Sequence, residues 1–442
     1  MHKRRFAVSA LLVLAITGCS AGQPAAPAPP TPAPVPLERE LASVVEDPVH
    51  GMASLSVLAV RGGQVQYQGA FGRRFIHPSD RALDKGANPQ TLYRIASVSK
   101  FVTMLGVMRL VEEGRLGLDR DVGDYLGYPL RNPDFPAQPV TLRMLLSHTS
   151  SLRDDAGYSW GAGVSLRSAM QGKAGVWDGR RVPGAYFAYS NLNWGVIGTV
   201  MEAATGERFD LLMQRLVLQP LAIKGGYNVA ALGETERGNL ATLYRKRPAD
   251  GGPWNPAGPW FAQADDFSVQ MPAAPAGLDQ YRPGSNGTLF SPTGGLRVSA
   301  ADLGTLMLML LDGGRHQGKA FLTAQSMAAI FSTQWRYNPA APNGDTHGGL
   351  FAHWGLGTQH FEDSAKAKSS LVEGGGYPAS GHLGEAWGLL SVFALNFAER
   401  SGVVVLIGGT ASDPARTPGT YSALTRQEEL ILTALHRHVL RQ

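Results

Sequence analysis

Alternating hydrophobic and polar positions predict β-strands near both ends of the chain. In SLSVLAVRGGQVQYQGAFG (54–72) the alternation is interrupted at Gly62-Gly63, which predicts a β-hairpin. The apolar runs 388–397 and 402–409 flank a short polar segment and predict a second hairpin. Because helical patterns lie between the hairpins, we expect an α/β fold in which the N- and C-terminal segments form one antiparallel sheet flanked by helices.

Hydrophobic residues at helical spacing predict the helices. Those that follow Ser97 would bury one helix in a core, and LTRQEELILTALHRHVL (424–440) predicts a closing helix. Helical patterns with little strand character fill the middle of the chain. We therefore predict that residues 126–285 are a mainly helical insertion into an α/β domain formed by residues 37–125 and 286–442. The apolar positions after Ser97 are Phe101, Met104, Leu105 and Met108.

One segment near the end of this insertion, residues 248–288, is dense in proline, glycine and tryptophan and has no helical or strand pattern. Loops of this length in compact proteins are more often functional or disordered than neutral. We interpret it as a candidate rim of a site.

The first residues are typical of a processing signal. A basic start precedes an apolar run of about eleven residues (6–16), which is too short for a membrane-spanning helix of about twenty. Small residues then precede Cys19, the only cysteine, and the arrangement resembles the lipobox of bacterial lipoproteins. We predict a lipoprotein signal peptide over residues 1–18 and lipidation of Cys19. The alternative is an ordinary secretory signal with an incidental cysteine.

The segment that follows, residues 19–36, is rich in proline and alanine and predicts an extended tether, because it cannot form a packed core. Ser20 rather than aspartate follows the cysteine, which by the usual bacterial sorting rule favours the outer membrane. We therefore expect a protein of the bacterial cell envelope, anchored to the membrane through the lipid on Cys19 and lying on the periplasmic side. No pattern in the sequence indicates an oligomeric state.

The charge of the chain argues against nucleic acid as a partner. The formal net charge is +5, and three of the basic residues lie in the predicted signal peptide. Removing them leaves a chain close to neutral, and no lysine and arginine cluster elsewhere suggests nucleic acid. We expect a small-molecule or peptide substrate.

Ser97 and Lys100 lie three residues apart at the predicted start of a helix, so that both side chains face the same side. A serine hydroxyl is a weak nucleophile until a base accepts its proton. A lysine whose pKa is lowered by burial or by a second cation can be that base. The Ser-x-x-Lys pattern is also common on solvated helix surfaces, so its meaning depends on partners elsewhere in the chain.

Tyr189 and Asn191 are the second candidate pair. A phenolic hydroxyl beside a lysine ammonium has a lowered pKa and can transfer protons, and an asparagine amide can hold a substrate carbonyl. The alternative is structural, with Tyr189 packed at a helix N-terminus and Asn191 as the helix cap.

The third candidate, GHLG (381–384), precedes the first C-terminal strand. Glycine allows a backbone to approach a ligand closely, and a backbone N–H near Glu385 together with that of Ser97 would form an oxyanion hole. His382 would then lie where a hydrogen-bond donor or a cation is useful. Taken alone, this histidine is more often structural.

In this order the three motifs resemble those of the serine β-lactamase/penicillin-binding-protein superfamily. The most similar branch is the class C-like one, with class C β-lactamases, D-alanyl-D-alanine carboxypeptidases, D-aminopeptidases and family VIII carboxylesterases. The resemblance covers nearly all of residues 50–440, including GRLGLDRDVGDYL (114–126), LLSHTSSL (145–152) and SPTGGLRVSAADL (291–303). It implies a class C β-lactamase-like fold with an inserted helical domain, and no cofactor.

The resemblance also implies a role for each candidate. Ser97 would be the acylated nucleophile, Lys100 the general base or proton relay, and Tyr189 the second acid/base. Asn191 would position the substrate, and His382 takes the place of the lysine of the Lys-Thr-Gly motif of many relatives. Which of Lys100 and Tyr189 accepts the first proton stays open.

Other candidate patterns are set aside. GYSWG (157–161) fits the nucleophile elbow of α/β-hydrolases, but polar loop sequence replaces the strand and helix that such an elbow needs, so Ser159 is interpreted as a coincidence. By the resemblance, His148 is structural. Three further histidines have no companion at metal-ligand spacing, so we predict surface residues and no metal; they are His347, His353 and His360.

The residues of the candidate substrate site favour different substrates. Asn191 favours peptide-like or β-lactam substrates. Leu383 lacks the hydroxyl that a threonine would offer to a substrate carboxylate, a loss of about 1.5–3 kcal/mol. Beside Gly384, the carboxylate of Glu385 would repel a carboxylate and attract an amine.

The leading hypothesis is an exported serine hydrolase that forms an acyl-enzyme on Ser97 and cleaves carboxylic esters or D-amino-acid-type amides. The alternatives are a D-alanyl-D-alanine carboxypeptidase or weak β-lactamase, and a non-catalytic peptidoglycan-binding lipoprotein on a hydrolase scaffold.

Overall fold

Nine strands from both ends of the chain form one antiparallel sheet in the computed structural model, which describes residues 36–248, 250–268, 270–364 and 368–441. The predicted signal peptide, Cys19 and nearly all of the predicted tether lie outside the described residues. Seventeen strands and eleven α-helices occur within the described ranges. The strands are β1 Ser54–Arg61, β2 Gln64–Phe75, β3 Lys85–Gly86, β4 Leu92–Arg94, β5 Gly225–Gly226, β6 Leu243–Arg245, β7 Phe261–Ala264, β8 Arg297–Ser299, β9 Arg315–His316, β10 Lys319–Ala320, β11 Trp335–Arg336, β12 His353–Trp354, β13 Gln359–Phe361, β14 Ala379–Ala386, β15 Leu389–Asn396, β16 Ser401–Ile407 and β17 Gly409–Thr410.

The large sheet has the order β11-β12-β13-β14-β15-β16-β1-β2-β3. Both predicted hairpins are confirmed: β1 pairs with β2 across Gly62-Gly63, and β15 pairs with β16. Both glycines of the first turn have positive φ angles, +61° and +75°, which residues with a Cβ rarely adopt. Because β1 also pairs with β16, the N- and C-terminal segments form one sheet, as predicted.

Helices cover both faces of this sheet. The helices are α1 Pro36–Val45, α2 Val98–Glu112, α3 Gly123–Leu126, α4 Leu142–Leu146, α5 Leu166–Met170, α6 Leu192–Thr205, α7 Phe209–Met213, α8 Glu234–Gly238, α9 Ala300–Leu311, α10 Ala324–Phe331 and α11 Arg426–Leu435. Alternate residues of β1, β15 and β16 belong to two separate cores, one shared with α2 and α9 and the other with α1 and α11. The expected fold class is confirmed.

The helix that follows Ser97 is the most buried of the long helices. Twelve of the fifteen residues of α2 are buried, including all four apolar positions predicted from the helical period. Such a helix cannot move without disturbing the core on every side, so it holds the side chains at its start rigidly.

The predicted closing helix is also confirmed. α11 begins after Thr425, whose hydroxyl accepts a hydrogen bond from the backbone N–H of Glu428, and a π-helical turn His436–Leu440 continues it. Residues 126–285 contain α4 to α8 together with the short strands β5 to β7, and the proposed domain boundaries stay a prediction. None of the described helices is both long and apolar enough to cross a membrane.

Candidate active site

Ser97 lies at the start of α2, where the chain leaves β4. The preceding residue, Ala96, has a φ angle of +46°, in the left-handed region that residues with a Cβ seldom occupy. The hydroxyl of Ser97 is only partly buried, whereas the next turn of α2 is enclosed by the core. Strained backbone of this kind is found at functional sites, where the surrounding structure holds it in place.

Lys100 reaches Ser97 from the protein interior. Its side chain is fully buried, and Nζ lies 3.0 Å from Ser97 Oγ, 2.8 Å from Asn191 Oδ1 and 2.8 Å from the carbonyl oxygen of Thr293. The amide and carbonyl oxygens can only accept, so Nζ donates a hydrogen to each. A neutral amine then has its lone pair left for Ser97.

The protonation state of Lys100 follows from its burial. Burial lowers the pKa of Lys100 well below its usual value of 10.5, and the negative charge of Asp154 raises it only in part. The neutral amine is therefore favoured, with two donors directed at oxygens and one lone pair directed at the Ser97 hydroxyl.

Tyr189 completes the group around the serine. Its ring stacks on His148, with centroids 4.4 Å apart, and on Phe351 at 4.9 Å, and Lys100 Nζ lies 5.1 Å from the ring centroid. Burial raises the pKa of Tyr189, while a hydrogen bond with Ser97 lowers it in part. The phenol is therefore neutral, in contrast to the lowered pKa that the sequence suggested.

His148 has the structural place that the resemblance implied. It is buried, its Nδ1 accepts the backbone N–H of Ser190 at 3.1 Å, and burial lowers its pKa well below the usual value. A neutral ring stacked on Tyr189 fixes the phenol without contributing a charge.

Asp154, which was not predicted as a site residue, forms hydrogen bonds with the segment that carries Tyr189 and Asn191. Its carboxylate accepts hydrogen bonds from Ser190 Oγ at 2.8 Å and from the backbone N–H groups of Asn191 and Leu192, both at 2.9 Å. It also accepts a hydrogen bond from Nδ2 of Asn191 at 2.9 Å. Asp154 therefore caps α6 from a distant loop, and the alternative of Asn191 as the side-chain cap does not hold.

The side chain of Asn191 is oriented entirely by the protein. Its Oδ1 accepts hydrogen bonds from Lys100 Nζ and, at 2.6 Å, from the hydroxyl of Thr293. One hydrogen of its Nδ2 is donated to Asp154. The second hydrogen of Nδ2 is left for a substrate carbonyl. Thr293 is a second site residue that the sequence analysis missed, although it lies in the segment SPTGGLRVSAADL (291–303).

The GHLG motif lies within a strand rather than before one. It forms the middle of β14, which pairs with β15 along residues 380–386 but with β13 only along residues 379–381. A Cβ added to Gly384 would lie 3.0 Å from the backbone nitrogen of Ser97 and 2.8 Å from the carbonyl oxygen of Ile95. The strand therefore passes directly against the start of α2, as the predicted oxyanion hole requires.

His382 differs from the expected donor or cation. It is 2% exposed, its Nδ1 lies 2.6 Å from the carbonyl oxygen of Leu383, and burial and nearby Lys100 lower its pKa to about 3. Because a carbonyl only accepts, the proton is on Nδ1 of a neutral ring. The buried Nε2 has no partner among the described residues and offers a lone pair instead of a charge.

Leu383 and Glu385 lie on the other face of β14 from His382, because side chains alternate along a strand. Leu383 packs against the core that contains α11. Partial burial raises the pKa of Glu385, and the charge of Arg245 lowers it in part.

A cavity of about 1100 Å³ opens in front of Ser97. Ala273 and Pro275 of the proline-rich segment line it, as a rim would. Lys100 is fully buried and does not line the cavity itself. Of the predicted site residues, the cavity is lined by Ser97, Tyr189, Asn191, His382, Leu383, Gly384 and Glu385.

Ser159 and the three histidines that the sequence analysis set aside lie in different surroundings. Ser159 lines the cavity, but turns and irregular chain surround it and the strand and helix of a nucleophile elbow are lacking. The prediction of a surface position is wrong for His353, which is 8% exposed and contacts Glu362. His360 is partly buried and contacts Ser380, whereas His347 is exposed. No cluster of three potential metal ligands occurs within the described ranges.

Comparison with known proteins identifies the family of this chain. The family model "Beta-lactamase" matches residues 41–427. Penicillin-binding protein 4* of Bacillus subtilis (strain 168) is 29% identical over 175 residues, which are 37% of this chain and 36% of that protein. Esterase EstB of Burkholderia gladioli is 33% identical over 191 residues, 38% of this chain and 45% of that protein. The chain thus spans less than half the length of these curated relatives.

Solved structures support the same fold. The D-amino acid amidase from Ochrobactrum anthropi SV3 matches with a TM-score of 0.63 and 17% identity, over 90% of this chain and 97% of that one. EstCE1, a hydrolase with promiscuous acyltransferase activity, matches with a TM-score of 0.63 and 21% identity, over 90% and 98% of the two chains. With a family model that covers most of its length, this chain belongs to the beta-lactamase family, within the serine β-lactamase/penicillin-binding-protein superfamily.

Proposed function

We propose that this protein is a serine hydrolase that forms an acyl-enzyme on Ser97 and cleaves carboxylic esters or D-amino-acid-type amides. The observation that carries the proposal is the set of three contacts of Lys100 Nζ. Two acceptors use both hydrogens of a neutral amine, so its lone pair can accept the proton of Ser97 Oγ.

The proposed reaction uses the groups in front of α2. Lys100 takes the proton of Ser97 while Oγ attacks the substrate carbonyl carbon, and the backbone N–H of Ser97 donates to the oxyanion that forms. Tyr189, which is neutral and hydrogen-bonded to Ser97, passes a proton from Lys100 to the leaving group. Water then attacks the acyl carbon and gives a proton to Lys100. The bond to Ser97 Oγ breaks, Oγ takes that proton back, and the acid is released. Burial favours a neutral amine over a phenolate at neutral pH, which supports Lys100 as the first base.

The substrate class is proposed from chemistry and relatives together. Leu383 offers no hydroxyl to a substrate carboxylate, and the curated relatives include an esterase. The solved structures of similar fold include a D-amino acid amidase. The second candidate, a D-alanyl-D-alanine carboxypeptidase or weak β-lactamase, is favoured by Asn191, which keeps a free Nδ2 hydrogen for an amide carbonyl.

A panel of substrates tests the proposal. A fluorophosphonate should label the wild-type protein, and 4-nitrophenyl acetate and a D-amino acid amide should be turned over. Ser97→Ala should abolish labelling and turnover, whereas Ser159→Ala should retain labelling because Ser97 is the serine whose Oγ contacts Lys100 Nζ. Normal turnover by Ser97→Ala would contradict the proposal, and muropeptide binding without any labelling would favour the non-catalytic alternative.

We also propose export and anchoring of the chain through a lipid on Cys19, as the sequence pattern predicts. Metabolic labelling with a fatty acid should mark the wild-type protein and not a Cys19→Ala variant. Equal labelling of both would contradict the anchor.

A further inference from the structure

Arg94 brings a positive charge into the cavity in front of Ser97. It is the last residue of β4, and its side chain lines the cavity. Nε donates to the carbonyl oxygen of Gly294 at 3.1 Å. Within the described part of the chain, no carboxylate oxygen lies within 4.0 Å of this guanidinium.

The two terminal nitrogens of Arg94 remain free to donate. No described residue accepts a hydrogen bond from them, and neither belongs to the buried polar atoms without a partner, so both are open to the cavity. Burial lowers the pKa of Arg94 to about 10, and the charge of Arg297 lowers it as well, whereas Asp265 raises it. Burying a cation without a counter-ion is costly, and a bound anion would offset that cost.

Trp387 fixes the orientation of this guanidinium. The indole ring lines the cavity, is 41% exposed and lies 4.1 Å from the central carbon of Arg94. Trp387 has a φ angle of +49°, which is unfavourable for a bulky residue. A guanidinium that stacks on an aromatic ring keeps its N–H groups directed sideways, in the planar fork that matches a carboxylate.

Two of the other charged groups that line the cavity, Arg297 and Glu428, already have hydrogen-bond partners. Arg297 forms a bidentate ion pair with Asp265 at 2.6 and 3.0 Å, and both side chains are at most 10% exposed. Glu428 accepts two hydrogen bonds from Thr425. The charge of Arg245 acts on Glu385. Among the arginines that line the cavity in the described ranges, Arg94 is thus the one without an ion pair.

We propose that Arg94, held on Trp387, is a subsite for a carboxylate of the substrate, so that the preferred esters or amides are anionic. This inference rests on the proposed hydrolysis at Ser97. Arg94, beside Trp387 in the lining of the cavity, would bind the substrate carboxylate for which Leu383 offers no hydroxyl.

Matched substrate pairs test the subsite. For the leaving group we compare 4-acetoxybenzoate with its neutral isostere 4-acetoxybenzamide, and for the acyl group 4-nitrophenyl hydrogen suberate with 4-nitrophenyl nonanoate. A hydrogen-bonded charge pair should make kcat/KM about tenfold or more higher for the anionic member of at least one pair. In Arg94→Gln the ratio should fall to about one, and Arg94→Lys should keep part of it.

The controls separate the subsite from other effects. Arg120→Gln removes an exposed guanidinium of equal charge and should leave the ratio unchanged. If Arg94→Gln lowers both members of each pair equally, Arg94 acts only through Gly294 and the inference is overturned. It is also overturned if wild-type turnover depends on Ser97 but shows no preference for the anionic member of either pair. Turnover that persists in Ser97→Ala overturns the proposed function instead.

Discussion

Replacing Asp154 removes the connection between the loop after α4 and the start of α6. The carboxylate accepts four hydrogen bonds, from Ser190 Oγ, from two backbone N–H groups of the first turn and from Asn191 Nδ2. Asp154→Ala leaves the two backbone groups without this acceptor and lets Asn191 rotate. Asp154→Asn keeps the shape but places an amide N–H₂ against donors that need an acceptor.

The expected loss of stability follows from these contacts. A lost helix N-cap costs about 0.5–2 kcal/mol, and a hydrogen bond to a charged group is worth about 1.5–3 kcal/mol. Because the four bonds share one side chain and are not additive, we expect the free energy of unfolding to fall by about 2–4 kcal/mol in Asp154→Ala and by about half as much in Asp154→Asn.

Asp154→Asn should also change the pH dependence of activity. The negative charge of Asp154 raises the pKa of Lys100, so its removal lowers that pKa further. Lys100 acts as a base only when neutral, and a lower pKa keeps it neutral at more acidic pH. The acid limb of kcat/KM should therefore move to lower pH, even if the maximal rate falls because Asn191 is misplaced.

Urea denaturation and a pH profile with 4-nitrophenyl acetate measure both effects. Asp155→Asn is the matched control, because Asp155 is the adjacent, exposed acidic residue. The reasoning is refuted if Asp154→Asn leaves the acid limb where the control has it and changes the free energy of unfolding by no more than the control does.

Two further predictions follow from β14 and α11. Gly384→Ala should reduce kcat/KM by more than about tenfold, because a Cβ there would overlap Ser391 Oγ and lie 3.0 Å from the Ser97 nitrogen. Near-normal rates for the purified, folded variant would contradict this close approach. Burial raises the pKa of Glu428 from its usual 4.5 to about 7, although hydrogen bonds from Thr425 lower it. The folded state therefore binds this proton more tightly than the unfolded state, and stability falls as pH rises from about 4.5 to about 7. Glu428→Gln keeps an acceptor for Thr425 and should be more stable than wild type at pH 8 by about 3 kcal/mol and nearly equal at pH 4, as measured by urea unfolding; an equal difference at both pH values would refute the argument.

The parts of the fold that were predictable are those with a strong local period. The alternating residues of β1 and β2, the glycine turn between them and the apolar helix after Ser97 all follow from patterns among residues close in sequence. β14 was not predicted as a strand because GHLGEA contains no β-branched residue. Its extended form depends on pairing with β15, a tertiary contact that the local sequence does not report.

The candidate site shows the same division. Residue types and motif order identified Ser97, Lys100 and Tyr189, which the structure brings together. The role of Asp154 was hidden because its partners, Ser190 to Leu192, lie more than thirty residues away in the chain. The neutral form of His382 was missed because it depends on burial, which one sequence position does not reveal.

The position of β1 in the interior of the large sheet constrains how the chain can fold. Its neighbour β16 lies roughly 350 residues later in the sequence, so the hairpin of β1 and β2 has one edge unpaired until β16 has been made. The same holds for the apolar residues that β1 shares with α11. During synthesis this early hairpin is exposed to aggregation through its open edge for the time needed to make the rest of the protein. This part of the sheet is therefore completed only after β16 and α11 have been made, and loss of either removes partners from β1.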